Sequence, residues 1–291
     1  MIRKRVVSPH RVFVCVVCVV AIVVPAFLFA QAPPKRIISL VPNVTEMLFA
    51  IGAGSQVVAV SNYDVEPPEV RALPTVGALL DPDTEKIISL RPDLVITYGS
   101  QSDLQSQLRS ARIAFFDYRH GGLDQITATM RTLGATTGHQ AEAEAAARNL
   151  ESAIAAVKAR VAGRPRPRTL LVFGREPGSL RNIYASAGRG FLHDMLVAAG
   201  GEDMLGDIDK ESVQISTEII LARQPDVILE LNAANQLNDA DLKKIVDPWM
   251  TLSSVPAVKN RRVVVLLGAA MSVPGPRVAH SIEKMAKALH P

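Results

Sequence analysis

Two carboxylates stand in matched surroundings. The segment Thr84-Glu85-Lys-Ile-Ile-Ser-Leu-Arg-Pro92-Asp93-Leu-Val-Ile96 aligns without gaps on Thr217-Glu218-Ile-Ile-Leu-Ala-Arg-Gln-Pro225-Asp226-Val-Ile-Leu229, at a constant offset of 133. Each copy reads as a helix capped by Thr, closed by Pro and followed by a buried strand. Glu85 and Glu218 then fall in first helical turns, where the helix dipole favours a carboxylate by roughly a few tenths of a kcal/mol. Catalytic chemistry has no comparable signal. Gly52-Ala-Gly54 follows a helix instead of opening one, so it reads as a C-cap and not as a dinucleotide fingerprint. The chain has no Gly-x-Ser-x-Gly elbow, no Walker loop and no His-Glu-x-x-His. No catalytic residue is assigned, and an enzyme is not expected.

The elements that must position these residues alternate between strand-length apolar runs and helices. Arg36 to Val41 reads as a buried strand, Asn43 or Thr45 as the cap of a helix through Ile51, and Val57 to Val60 as a second strand. A helix from Thr84 to Leu90 leads into Leu94-Val95-Ile96-Thr97, and one near Asp103 to Ala111 leads into Ile113-Ala114-Phe115-Phe116. The same alternation restarts with strand Thr169 to Phe173, helix Gly190 to Ala199 and strand Val227 to Leu231. Near-continuous apolar strands between helices imply parallel sheets covered on both faces. Between the two sets, His139 to Ala162 is rich in Ala, Glu, Arg and Lys and free of Gly and Pro. It reads as one helix of about 35 Å, either a strut between lobes or an ordinary surface helix of one domain.

The expected fold is therefore α/β, with two Rossmann-like lobes of mostly parallel sheets joined by one long backbone helix. The expected boundaries are 35–138 for the N-terminal lobe, 139–163 for the helix and 165–291 for the C-terminal lobe. Of the six histidines, only His120 and His193 are placed to approach a cleft between lobes, and neither has the local spacing of a zinc ligand set. No metal site is expected.

Arg3, Lys4, Arg5 and Arg11 precede an apolar run from Val12 to Ala30, the layout of a secretory signal peptide over residues 1–30, with cleavage after Ala30. An uncleaved anchor is the alternative, because about 17–25 apolar residues suffice to span a bilayer. Both cysteines, Cys15 and Cys18, lie in this segment, so the remainder depends on its core and not on disulfides. The segment holds four of the 32 Lys and Arg and none of the 28 Asp and Glu, leaving 28 basic against 28 acidic residues. A near-neutral chain without basic runs among aromatics has no footprint for nucleic acid.

A set of motifs in order completes the reading: Arg36-Ile-Ile-Ser-Leu-Val-Pro42-Asn-Val-Thr-Glu46, Asp93-Leu-Val-Ile96, Gly200-Gly201-Glu202, the two Thr-Glu helices, Ala257-Val-Lys-Asn260 and Pro274-Gly-Pro-Arg277. Over essentially all of Lys35 to Pro291 the chain resembles the vitamin B12 and iron-siderophore substrate-binding proteins of ABC importers. The resemblance implies a periplasmic, monomeric protein of the helical-backbone class, with little hinge closure and no intrinsic cofactor. Its ligand, a cobalamin-type corrinoid or a ferric chelate, would lie between the lobes and pass to an ABC importer permease dimer with its ATPase. Glu85 and Glu218 would dock onto permease arginines, two equivalent carboxylates suiting a two-fold partner.

For the ligand, the resemblance points to Tyr63 after the second strand, Tyr98 after the Pro-Asp-Leu-Val-Ile strand and Tyr184 near a third aromatic position. A tyrosine offers a flat apolar surface and one hydroxyl at small entropic cost. Where the B12 binders carry a tryptophan in the second lobe this chain has Ser212, and where they carry an acid and a base it has Ala269 and Val273 beside Met271. A B12-related corrinoid, a ferric siderophore and a haem-like ligand each fit such a partly aromatic, partly apolar cleft, with Arg175 or Arg181 to meet carboxylate or catecholate oxygens. A sensor or interaction protein that kept the fold is the non-transport alternative.

Overall fold

The computed structural model describes residues 32–291, so the segment read as signal peptide or anchor lies outside the described residues. No helix of the described residues is long and apolar enough to cross a membrane. The first lobe runs β1 (Ile37–Ser39), α1 (Pro42–Ala50), β2 (Val57–Val60), α2 (Thr84–Ser89), β3 (Leu94–Tyr98), α3 (Ser102–Ser110) and β4 (Ala114–Tyr118). Its strands are all parallel, in the order β2-β1-β3-β4. Ile37 and Ile38 on β1 and Val95 and Ile96 on β3 are fully buried, as a sheet covered on both faces requires.

A helical pair follows, α4 (Leu123–Thr137) and α5 (Gln140–Val161). The second lobe then runs β5 (Arg168–Gly174), β6 (Ile183–Ser186), α6 (Phe191–Ala198), β7 (Glu202–Asp203), β8 (Ser212–Ile215), α7 (Thr217–Arg223), β9 (Val227–Asn232), α8 (Asp239–Val246), α9 (Pro256–Lys259), β10 (Val263–Leu267) and α10 (Val278–Leu289). Its strand order is β10-β9-β5-β6-β8, with β7 also on β5; β6 runs antiparallel to both β5 and β8, and the other pairs are parallel.

The repeat seen in the sequence is a repeat in space. Asp93 Oδ2 accepts the backbone N–H groups of Lys35 (2.8 Å) and Arg36 (2.9 Å), tying the start of β3 to that of β1. Asp226 Oδ2 likewise accepts the N–H of Arg168 (3.0 Å), tying β9 to β5. Arg91 and Gln224, again 133 apart, both leave their helices at φ 48°. The second lobe thus repeats the first around β5 and β9 and adds the antiparallel β6 and β8.

Caps differ from the expectation. Asp83 caps α2 by accepting the N–H of Lys86 (2.9 Å), and Ser216 precedes α7, so Thr84 and Thr217 are the first helical residues. In α1 neither Asn43 nor Thr45 caps: Pro42 opens the helix, its missing N–H costing nothing there. The Asn43 amide instead donates to Tyr118 Oη (2.7 Å) and to the Pro274 carbonyl (3.1 Å) across the lobes.

α5 has 22 residues, about 33 Å at 1.5 Å each. Ala143, Ala147, Leu150, Ile154, Val157 and Val161 are buried at alternating steps of four and three, forming one apolar stripe along its length. A single core cluster runs from Ile37 and Met47 in the first lobe through Leu150 and Ile154 of α5 to Met195, Leu229 and Ile282 in the second. At the α4–α5 crossing, a Cβ on Gly134 would lie 2.3 Å from the Cβ of Ala143, so glycine permits the close approach. Beside it Arg131 of α4 meets Glu144 and Glu151 of α5, each at 2.7 Å. Gly134→Ala should lower stability by about 1–3 kcal/mol despite the better helix propensity of alanine, measured by denaturant unfolding; an unchanged midpoint would show that the crossing relaxes freely.

Candidate ligand-binding cleft

Parallel strands present their C-terminal ends along one edge of a sheet, where ligand sites of open α/β folds form. Tyr98 is the last residue of β3, and His120 stands two residues beyond the end of β4. Tyr98 Oη bonds His120 Nδ1, and the two rings stack at 5.8 Å between centroids, 22° apart. The other ring nitrogen, Nε2, meets Glu211 Oε2 of the second lobe at 2.9 Å, so a Tyr98–His120–Glu211 chain crosses the cleft. Burial first, then the Glu211 charge, pushes the Tyr98 hydroxyl above its ordinary value, so it stays a neutral phenol.

Against this bridge lies a cavity of about 220 Å³, lined by His120 and, from the second lobe, by Phe173, Phe191, Leu192, Glu211, Ser212 and Ser272. Phe173 ends β5 and Phe191 opens α6, so an apolar wall faces polar groups on the rim. Tyr184 flanks Phe173 at 6.4 Å between centroids and is 44% exposed. Other polar contacts join the lobes. Glu46, buried in α1, accepts both Nε (2.8 Å) and Nη2 (2.7 Å) of Arg277, and Leu123 N–H donates to Asp194 Oδ2 (3.0 Å). A bidentate guanidinium–carboxylate pair fixes orientation as well as distance.

The profile of the periplasmic binding protein family matches residues 37–269. The chain belongs to that family. This binding protein is 33% identical over 236 residues to the vitamin B12-binding protein of Salmonella typhimurium, covering 80% of this chain and 83% of the relative. The periplasmic vitamin B12-binding protein of Vibrio cholerae superposes with a TM-score of 0.74 at 25% identity, over 88% of this chain and 97% of that one. The periplasmic haem-binding protein RhuT of Roseiflexus sp. RS-1 superposes with 0.72 at 28% identity, over 88% and 98%.

The residues expected to hold a ligand are not all brought together in the binding protein. Tyr98 and Tyr184 reach the cavity's edge through His120 and Phe173. Tyr63 is 72% exposed on the loop after β2. Met271 is 2% exposed within the shared core, and its neighbour Ser272 is the one that lines the cavity. Arg175 is placed elsewhere: its side chain is 4% exposed and donates to Glu230 Oε1 (3.0 Å), the Ser179 carbonyl (2.7 Å) and the Ile245 carbonyl (2.5 Å). Its guanidinium lies 5.4 Å from the Trp249 ring centroid, and Trp249 Nε1 donates to Glu230 Oε2 at 2.7 Å. A charge so deeply buried needs its partners, and this one has them within the second lobe. Arg181 is exposed and pairs with Glu176 at 2.8 Å. His193 pairs with Asp203 at 3.3 Å.

Phe173, Phe191, Leu192 and Glu211 were not singled out by the sequence. Phe191 follows Gly190, at φ 89°, directly into α6, so a glycine before an aromatic helix start was the one local signal. Glu85 and Glu218 are both exposed in the first turns of α2 and α7. Hydrogen bonding from Ser216 draws the Glu218 carboxyl below its ordinary range, keeping it ionised.

Beside Tyr63, Asp64 accepts the Ser61 N–H (2.9 Å) with Oδ2, and its buried Oδ1 has no partner among the described residues. Burial pushes this carboxyl from 3.8 up to about 6, with nearby Glu46 adding to the rise and hydrogen bonds offsetting part of it. The folded state thus holds the proton more tightly than the unfolded chain. Stability from Asp64 is fully present below about pH 4 and is lost as pH rises through about 6. Asp64→Asn should abolish this decline, the variant gaining on the order of 2 kcal/mol over the parent between pH 4 and pH 7. Parallel stability curves for the two proteins in urea across that range would refute the assignment.

Proposed function

We propose that the chain is the solute-binding component of an ABC importer, working in the periplasm. It captures a bulky metal chelate, a cobalamin-type corrinoid first, between its lobes and delivers it to a permease dimer with its ATPase. The observation that carries the reading is the cleft, where an aromatic wall of Phe173, Phe191 and Tyr184 in one lobe faces Tyr98 and His120 of the other. A flat apolar jaw opposite hydrogen-bonding groups suits a planar macrocycle with a polar edge. The B12-binding relatives support a corrinoid. A second reading, haem or another ferric chelate, is favoured by the Tyr98–His120 pair, both potential iron ligands, and by the haem-binding structural neighbour.

Docking rests on Glu85 and Glu218, which stand at repeat-equivalent helix starts, are exposed, and form no ion pair among the described residues. A two-fold partner offering one arginine per subunit would meet both at once.

Titration with cyanocobalamin and with haemin, followed by calorimetry and the visible spectrum, should give saturable one-to-one binding of one of them. Phe191→Ala should weaken it roughly five- to thirtyfold, the range for losing one aromatic contact. No saturation by either would remove the assigned ligand class. Glu85→Arg with Glu218→Arg should leave ligand binding intact and abolish association with a reconstituted permease and ATPase that the parent protein binds; retained association would refute the docking role.

A further inference from the structure

Within the reading of the cleft as the ligand site, its chemistry discriminates between the two macrocycle classes. Glu211 lines the cavity, is about half exposed, and has His120 as its partner across the cleft. A cavity of about 220 Å³ is below the roughly 300–1,000 Å³ of sites that enclose organic ligands, so a macrocycle must displace the His120–Glu211 contact to seat. That contact is inexpensive to break, since half-exposed ion pairs contribute little. Once it breaks, the Glu211 carboxylate needs hydrogen-bond donors from whatever has entered.

We infer that Glu211 is a specificity-determining residue of the cleft, selecting a metal macrocycle edged with neutral carboxamides over one edged with carboxylates. A carboxamide presents N–H groups to Glu211 and a carbonyl oxygen to His120, replacing both halves of the bridge. A carboxylate edge offers no donor and places like charges together in a site partly shielded from water. Among the described residues no lysine or arginine lines the cavity to offset that repulsion. The cations next along the chain, Arg119 beside His120, Arg189 before the α6 start and Lys210 before Glu211, stand outside the lining, where water screens them; Arg119 and Arg189 also meet Asp117 and Asp209, each at 3.2 Å.

The test compares cyanocobalamin, haemin and haemin dimethyl ester on the parent protein, Glu211→Gln and Glu211→Lys at one fixed pH, with thermal unfolding to confirm that each variant is folded. The parent should prefer cyanocobalamin over haemin and should bind the dimethyl ester, whose edge carries no charge, roughly tenfold more tightly than haemin itself. Glu211→Gln should remove most of the ester's advantage, and Glu211→Lys should reverse it. Equal affinity of the parent for haemin and its ester, or an ester-to-haemin ratio unchanged in both variants, overturns the inference while leaving the cleft as the ligand site. If no probe binds the parent saturably, the assigned ligand class fails and this assignment falls with it. Should Glu211→Lys not fold, the ester comparison on the parent and Glu211→Gln still decides.

Discussion

The apolar stripe of α5 is the constraint on which the molecule depends. Ala143, Leu150, Ile154 and Val161 belong to one core cluster that begins in the first sheet and ends under α10 in the second. A helix tightly packed along its whole length on two bodies cannot bend without opening that core, and close-packed interiors yield little before they break. The cleft between the sheets is thus a consequence of packing elsewhere. Arg131 with its two glutamates at one end, and Arg160 with Glu283 at the other, reinforce the same axis at little cost in burial.

Within this frame the lobes are relatives with different duties. Asp93 and Asp226 fasten the central strands in the same manner, and α2 and α7 present the same carboxylate in the same first turn. The antiparallel β6 and β8 belong to the second lobe alone, and with β6 comes Tyr184, against Phe173. The aromatic jaw is therefore on one side of the cleft, and Tyr98 and His120 are on the other.

Much of this was legible in the chain. Parallel strands buried on both faces leave unbroken apolar runs, so β1, β3, β5 and β9 could be read directly, and Pro-Asp before β3 and β9 marked the repeat. β6 and β8 were not legible, since strands such as Ile183-Tyr-Ala-Ser and Ser212-Val-Gln-Ile are short and polar and depend on pairing across sequence. The N-cap positions fall one residue before Thr84 and Thr217, on Asp83, whose side chain caps α2, and on Ser216, whose side chain makes no cap bond. Arg175 resembled a cleft cation because burial is a tertiary property. The missed clue was Glu230, a carboxylate inside the apolar run Val227 to Leu231, which demanded a buried cation. His120 was read as able to approach the cleft, but Glu211 had no clue, since their contact spans 91 residues of chain.

The bidentate Glu46–Arg277 pair and the Asn43 amide on the Pro274 carbonyl tie one lobe to the other, and α5 packs on both. In a cleft tethered in this way, residence time is a property of wall chemistry to the extent that the tethers hold when a ligand enters.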